Sequence, residues 1–174
     1  MDTSLDVQRL RVRHERAGDV NDIGRVTANA FAPMPFASGT EARIVGALRT
    51  AGALAVSLVA TVGDELVGHV AFSPVTIDDR SVGWYALGPI SVAPQTQRRG
   101  AGSVLIARGL ERLRQLQAGG CVLLGSPDYY GRFGFLSDPA LTYRGRPNRF
   151  LQRLVLSEAP MTGDVRFHPA FDVS

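Results

Sequence analysis

The residues most able to do chemistry in this chain lie in "QTQRRGAGS", residues 95–103. Gly100 and Gly102 stand between an apolar run ending at Val92 and an amphipathic stretch, with Arg98 and Arg99 just ahead. A helix N-terminus presents unpaired backbone N–H groups and about half a positive charge. Glycine lets a phosphate come close to that backbone. Gln97, Arg98, Arg99, Gly100, Ala101, Gly102 and Ser103 therefore form a candidate phosphate cradle. Three owners compete for it. A Walker-type loop closes with a lysine, and every basic residue counted in the Lys+Arg total of 19 is arginine. A dinucleotide fingerprint needs a third glycine where Leu105 stands, and a strand running straight into the turn, where Ala93 to Arg99 intervene. It also needs an acidic residue about 20 positions on, where the chain reads "CVLL". The third pattern, Q-x-x-G-x-G, is met by Gln97, Gly100 and Gly102. Further on, "YGRFGF", Tyr130 to Phe135, places a phenol beside a glycine turn.

The elements that must hold these residues can be read from periodicity. Residues 9–15 start as a strand. Asp19 is a candidate N-cap for a helix with Val20, Ile23, Val26 and Ala30 at helical spacing. A Pro-rich loop leads to a second helix, capped by Ser38 or Thr40, with Ile44, Val45 and Leu48 inward. Three strands follow at 54–62, 66–77 and 82–92, with "GDE" and "DDRS" as turns. Residues 100–118 read as a long amphipathic helix burying Leu105, Ile106, Leu110, Leu113 and Leu116, stopped by Gly119 and Gly120. "CVLLG" is a buried strand, and "DYYGRF" a helical turn. "RLVLS" and "DVRFH" close the chain as strands. An antiparallel meander followed by a crossover helix argues for α/β with a mixed sheet and against a doubly wound dinucleotide fold.

Bulk properties bound the function. The 174 residues suit one domain, 1–174, with a sizeable core. A net charge of +3 fits an anionic small ligand, and no dense basic run favours nucleic acid. Without lysine there is no Schiff base or pyridoxal anchor. One cysteine, Cys121, excludes an internal disulfide and a multi-cysteine zinc site, so no metal is expected. The first twenty residues lack a signal-type apolar core, and no run approaches the roughly 20 apolar residues of a membrane span. A cytoplasmic protein is expected.

The third pattern resembles the pyrophosphate loop of the GNAT acyltransferases, which bind acetyl-CoA. "YGRFGF" resembles that family's Y-x-x-x-G-F signature after its fifth strand, and order, spacing and the intervening strand agree. "EARIVGALR", "GHVAFSPVTI", "ALGPISVAP", "DYYGRFGF" and "GDVRFHPAF" are similar to the YhbS-like subgroup of the family. The resemblance implies a mixed, mostly antiparallel sheet with splayed central parallel strands, flanked by helices. It implies an N-acetyltransferase with acetyl-CoA as donor, an amine as acceptor, direct transfer and a homodimer. Pantetheine would pair with the backbone of Ile90, Ser91 and Val92, where Gly88 and Pro89 break regular pairing in any case. Pyrophosphate would take the N–H groups from Arg98 to Ser103.

Acyl transfer to an amine has three needs. The ammonium, with pKa ~10, must lose a proton. The oxyanion needs a donor, and the leaving thiolate benefits from a proton. Tyr130 matches the tyrosine that serves many members as general acid; the alternative is an aromatic packed against the coenzyme. Members often use a glutamate base on the fourth or fifth strand, and this chain has none in 82–92 or 121–125. His69, Glu41 and a water chain are the alternatives, Glu41 being also a helix-start residue. His168 is a candidate for the acceptor pocket, whose walls would come from 31–40 and 141–152. Ser126 stands near where the family often has a coenzyme-binding asparagine. Cys121 reads as a packed core residue. Two other functions stay open: a non-catalytic acyl-CoA-binding module, and acylation of a charged transfer RNA.

Overall fold

The computed structural model describes residues 9–157 and 159–174. Part of the N-terminal stretch read above for a leader, residues 1–8, lies outside them. Strand β1 (Leu10–His14) precedes helices α1 (Val20–Phe31) and α2 (Glu41–Thr50). The meander is β2 (Val56–Val62), β3 (Glu65–Ile77) and β4 (Arg80–Val92). Helix α3 (Ala101–Gln115) then crosses to β5 (Gly120–Leu124) and the single turn α4 (Pro127–Tyr130). Four short strands finish the chain: β6 (Leu136–Ser137), β7 (Leu141–Tyr143), β8 (Leu151–Val155) and β9 (Gly163–Arg166).

The sheet runs β1-β2-β3-β4-β5-β8-β6, with β9 beside the far half of β3 and β7 beside β9. Its pairs are antiparallel except β4–β5 and β7–β9. This is the expected mixed, mostly antiparallel sheet with a central parallel pair. Side chains alternate across it. On one face, α3 lays Leu105, Ile106, Leu110 and Leu113 on Leu58, Val70 and Phe72. On the other, Ile23, Val26 and Val45 of α1 and α2 meet Val59 and Leu66. α3 comes close because Gly109 faces Phe72: a Cβ there would lie 2.2 Å from the ring.

Two expectations about helix ends need correction. Leu116 is 52% exposed and does not join the buried stripe. The chain turns there, with Gln117 left-handed at φ 57 and the Ala118 N–H donating to the Leu113 carbonyl at 3.0 Å. That six-to-one closure ends the helix before Gly119 and Gly120 are reached. Those glycines instead admit Trp84, whose ring would lie 2.7 Å and 2.5 Å from their added Cβ atoms. Asp19 does sit at the N-cap of α1, but its carboxylate accepts from Arg13 and the Arg16 N–H rather than from the helix.

The feature that positions the site is the parting of β4 and β5. They pair at Trp84–Gly120, Tyr85–Cys121 and Ala86–Val122, and there the pairing ends. On its other side β4 continues to Val92 against β3, but Gly88 and Pro89 together oppose one residue, Ala71. Proline brings no N–H to a ladder, and Gly88 takes φ 139, so a bulge forms at this step.

Candidate active site

The loop after β4 is tied down by its own side chains. Thr96 Oγ1 donates to the Ala93 carbonyl at 2.9 Å, and Gln97 Nε2 donates to the Val92 carbonyl at 3.0 Å. Gln97 therefore braces the loop onto β4. Arg98 and Gly100 are both left-handed, at φ 62 and φ 89, and the turn delivers the chain into α3. The first intrahelical bond there runs from the Val104 N–H to the Gly100 carbonyl at 3.1 Å. The N–H groups of Ala101, Gly102 and Ser103 precede it and have no helix carbonyl to pair with. Gly102 lies close under Tyr129: a Cβ there would sit 3.2 Å from its Oη, tighter than ordinary contact.

Along this loop runs a groove of about 810 Å³, ample for a nucleotide-sized ligand. Of the expected residues its walls hold Ile90, Val92, Gln97, Arg98, Gly100, Ala101, Gly102, Ser103, Ser126 and Tyr130. Ser91 and Arg99 are not on them. Ser91 points to the opposite face, buried, with its hydroxyl 3.2 Å from that of Thr27. Arg132 also lines the groove, which sequence reasoning missed. Its Nε donates to the Tyr129 carbonyl at 2.9 Å, and its guanidinium lies 4.6 Å over the Tyr129 ring. The one signal for it was its place inside "YGRFGF".

Tyr130 stands edge-on to Tyr129, centroids 4.8 Å apart, and packs near Phe135. Its ring occupies space that a Cβ on Gly125 would enter at 2.5 Å. Burial, with Tyr129 and Cys121 adding, pushes the phenol up to about 12. It therefore carries its proton through the neutral range. Cys121 is fully buried in the core, and burial raises its thiol.

A second cavity, about 770 Å³, meets the first at Phe31, Leu87, Gly88, Pro89 and Leu124. The bulge of β4 thus forms the seam between them. The expected acceptor-wall segments contribute Phe31, Tyr143, Arg144 and Gly145, and Glu41 and His168 also line it. β9 and the C-terminal turn supply the rest, including Phe167 and Phe171.

His69 lies elsewhere. It is 0% exposed and lines none of these walls. It pairs with Ser91 across β3–β4 on the face toward α1, away from the α3 face where Tyr130 packs. Its Nε2 is 2.8 Å from Ser57 Oγ, which donates to Glu15; Glu15 in turn holds Arg49 through two bonds at 2.9 Å. A base must reach the proton it removes, so His69 is not assigned that role. Burial, opposed by Glu15 and reinforced by Arg49, takes its imidazole down to about 4. Unfolded, the ring binds a proton near pH 6.5. Between about pH 6.5 and 4 the unfolded chain holds more protons, so this contribution is full above that window and lost as pH falls through it. The urea midpoint should drop between about pH 7 and pH 4.5 by an amount worth up to roughly 3 kcal/mol. His69→Gln should flatten that dependence; an equally steep drop in the variant would contradict it.

Among the described residues no cluster of His, Cys, Asp and Glu is placed to hold a metal ion. No helix among them is long and apolar enough to cross a membrane.

Comparison with known proteins adds three findings. The model of the acetyltransferase (GNAT) family matches residues 30–135, which include the loop and Tyr130. YhbS of Escherichia coli (strain K12), named an uncharacterized N-acetyltransferase, is 32% identical over 144 residues, 79% of this chain and 86% of the relative. Its crystal structure in complex with CoA superposes with a TM-score of 0.87 at 29% identity, covering 99% of this chain and 96% of that one. A GNAT family acetyltransferase from Brucella melitensis, in complex with acetyl-CoA, is 44% identical with a TM-score of 0.84, covering 94% and 98%.

Proposed function

The chain belongs to the GNAT family of acetyltransferases, and on that premise we propose that it passes the acetyl group of acetyl-CoA directly to a primary amine held in the second cavity. One observation carries this reading: the bulge of β4 leaves strand backbone unpaired at the seam of two cavities, one of which ends at a helix N-terminus. The relatives from Brucella melitensis and Escherichia coli hold acetyl-CoA and CoA. The walls of the first groove fit such a ligand. Ile90 and Val92 offer backbone to pantetheine. Ala101, Gly102 and Ser103 offer N–H groups to pyrophosphate, with Arg98 and Arg132 adding charge.

Acetyl-CoA supplies the acetyl group already activated as a thioester. Tyr130, protonated at neutral pH, gives its proton to the departing thiolate. None of the residues common to both cavities, Phe31, Leu87, Gly88, Pro89 and Leu124, is a nucleophile. That favours direct transfer over an acyl-enzyme. The ammonium of the acceptor loses one proton to water in the cavity; the attacking nitrogen loses its second to the Tyr130 phenolate left when the thiol forms, which restores the acid.

The test is thiol release over a panel of amines, with mass spectrometry of enzyme and product. The expected result is one thiol per N-acetylated amine and no acetylated enzyme after rapid quenching. Acetyl bound to the protein would replace direct transfer by a covalent route. Tight coenzyme binding with every amine left unmodified would leave a binding module instead.

A further inference from the structure

Building on that reading, we infer that the second cavity selects a monoamine carried on an aromatic body, with an oxygen on that body that accepts a hydrogen bond: an arylalkylamine of the hydroxyphenyl kind. Three independent observations converge on this class.

The first is a run of rings. Tyr143 and Phe167 stand edge to face with centroids 5.6 Å apart, and Phe167 and Phe171 follow at 5.4 Å. All three line the cavity and are half-buried, so they keep ring surface turned to it. Phe31 of α1 contributes a fourth ring. Such rings favour another ring in offset or edge contact, a gain beyond the burial of area alone.

The second is a fixed donor. His168 Nδ1 accepts the Ala170 N–H at 3.0 Å and caps the last turn of the chain. In the neutral imidazole the proton therefore sits on Nε2. His168 lines the cavity with its basic nitrogen already occupied, and Nε2, with no partner among the described residues, is the donor it has left to offer. A ligand oxygen satisfies that donor; a second amine does not.

The third is charge. Asp164 accepts from Thr142 Oγ1 and the Gly145 N–H, both at 2.8 Å, and so serves the β7–β9 turn. Glu41 holds the Ser38 N–H at 2.8 Å. Arg166 pairs with Asp79 at 2.8 Å, and Arg144 lies 5.2 Å over the Tyr143 ring. Of the three wall carboxylates, Glu41 and Asp164 are thus engaged, and Asp172 is the one with no side-chain partner among the described residues. One such carboxylate matches the single ammonium of a monoamine, whereas a polyamine or aminoglycoside needs several.

The experiment measures amine binding to the complex of the enzyme with CoA by calorimetry, which does not depend on turnover. The probes are tyramine, 2-phenylethylamine, n-butylamine and spermidine. Tyramine should bind at least about tenfold more tightly than n-butylamine, with 2-phenylethylamine between them and spermidine no better than n-butylamine. His168→Asn keeps a capping oxygen for the Ala170 N–H but removes the ring N–H. In that variant tyramine should weaken to the level of 2-phenylethylamine, whose own affinity stays unchanged. Equal binding of n-butylamine, strongest binding of spermidine, or a variant in which tyramine keeps its advantage over 2-phenylethylamine would overturn the inference. If tyramine binds as stated and is never acetylated, the transfer reading fails and the pocket assignment stands. If acetyl passes to n-butylamine and spermidine as readily as to tyramine, the transfer reading stands and the pocket assignment fails.

Discussion

Gly100→Glu should lose coenzyme A binding by at least about a hundredfold in calorimetry, close to 2.7 kcal/mol. Two effects add. Gly100 sits at φ 89, and a side chain in that left-handed region costs roughly 1–2 kcal/mol. The new carboxylate also stands at the N-terminus of α3, the place assigned to pyrophosphate, and repels it where the helix field favours an anion. Packing is not the cause, because nothing lies within 4 Å of an added Cβ. Gly100→Ala separates the two effects: it carries the backbone penalty alone and should weaken binding far less. Normal binding by the glutamate variant would remove the coenzyme from this loop.

Tyr130→Phe should lower kcat by about a hundredfold or more while the Kd for coenzyme A stays within a factor of two or so. Phenylalanine keeps the ring contacts with Tyr129, Phe133 and Phe135 and the place beside Gly125. Only the phenolic proton is lost. A merely packed Tyr130 would show the reverse pattern, a shifted affinity or melting temperature with kcat retained. Because burial takes the phenol up to about 12, its loss of proton should not appear as an alkaline limb below that value. Unchanged kcat in the variant would end the acid assignment.

The meander and the glycine loop were legible because local signals specify them. β2, β3 and β4 begin and end within two residues of the strands expected from turn residues and apolar runs. The Q-x-x-G-x-G and Y-x-x-x-G-F patterns each lie on one contiguous stretch, and the groove walls contain most of the first and, of the second, Tyr130 and Arg132. Other features depend on register, which a single strand does not carry. His69 and Ser91 face α1 only because they pair with each other and with β2 in one alignment. The partnership of Glu15, Arg49, Ser57 and His69 joins four distant segments with no shared motif. Strands β6 to β9 are two to five residues long, and β9 finds its partners on β3 and β7. The second cavity leans on those strands, so its run of rings could be read only after folding, although the sequence itself singles out His168.

The parting of β4 from β5 also bears on how the molecule avoids its neighbours. A strand with unmatched polar backbone is the usual seed for edge-to-edge aggregation, and proteins normally place such rims outside and blunt them. Here the rim lies inside the sheet, along cavities walled by Phe31, Met34, Leu124 and Tyr129. A second polypeptide strand needs room for side chains on both faces, and those walls deny it. A slender chain of amides and methylenes needs no such room. The same opening that admits a thin ligand therefore keeps a second strand from pairing with that rim.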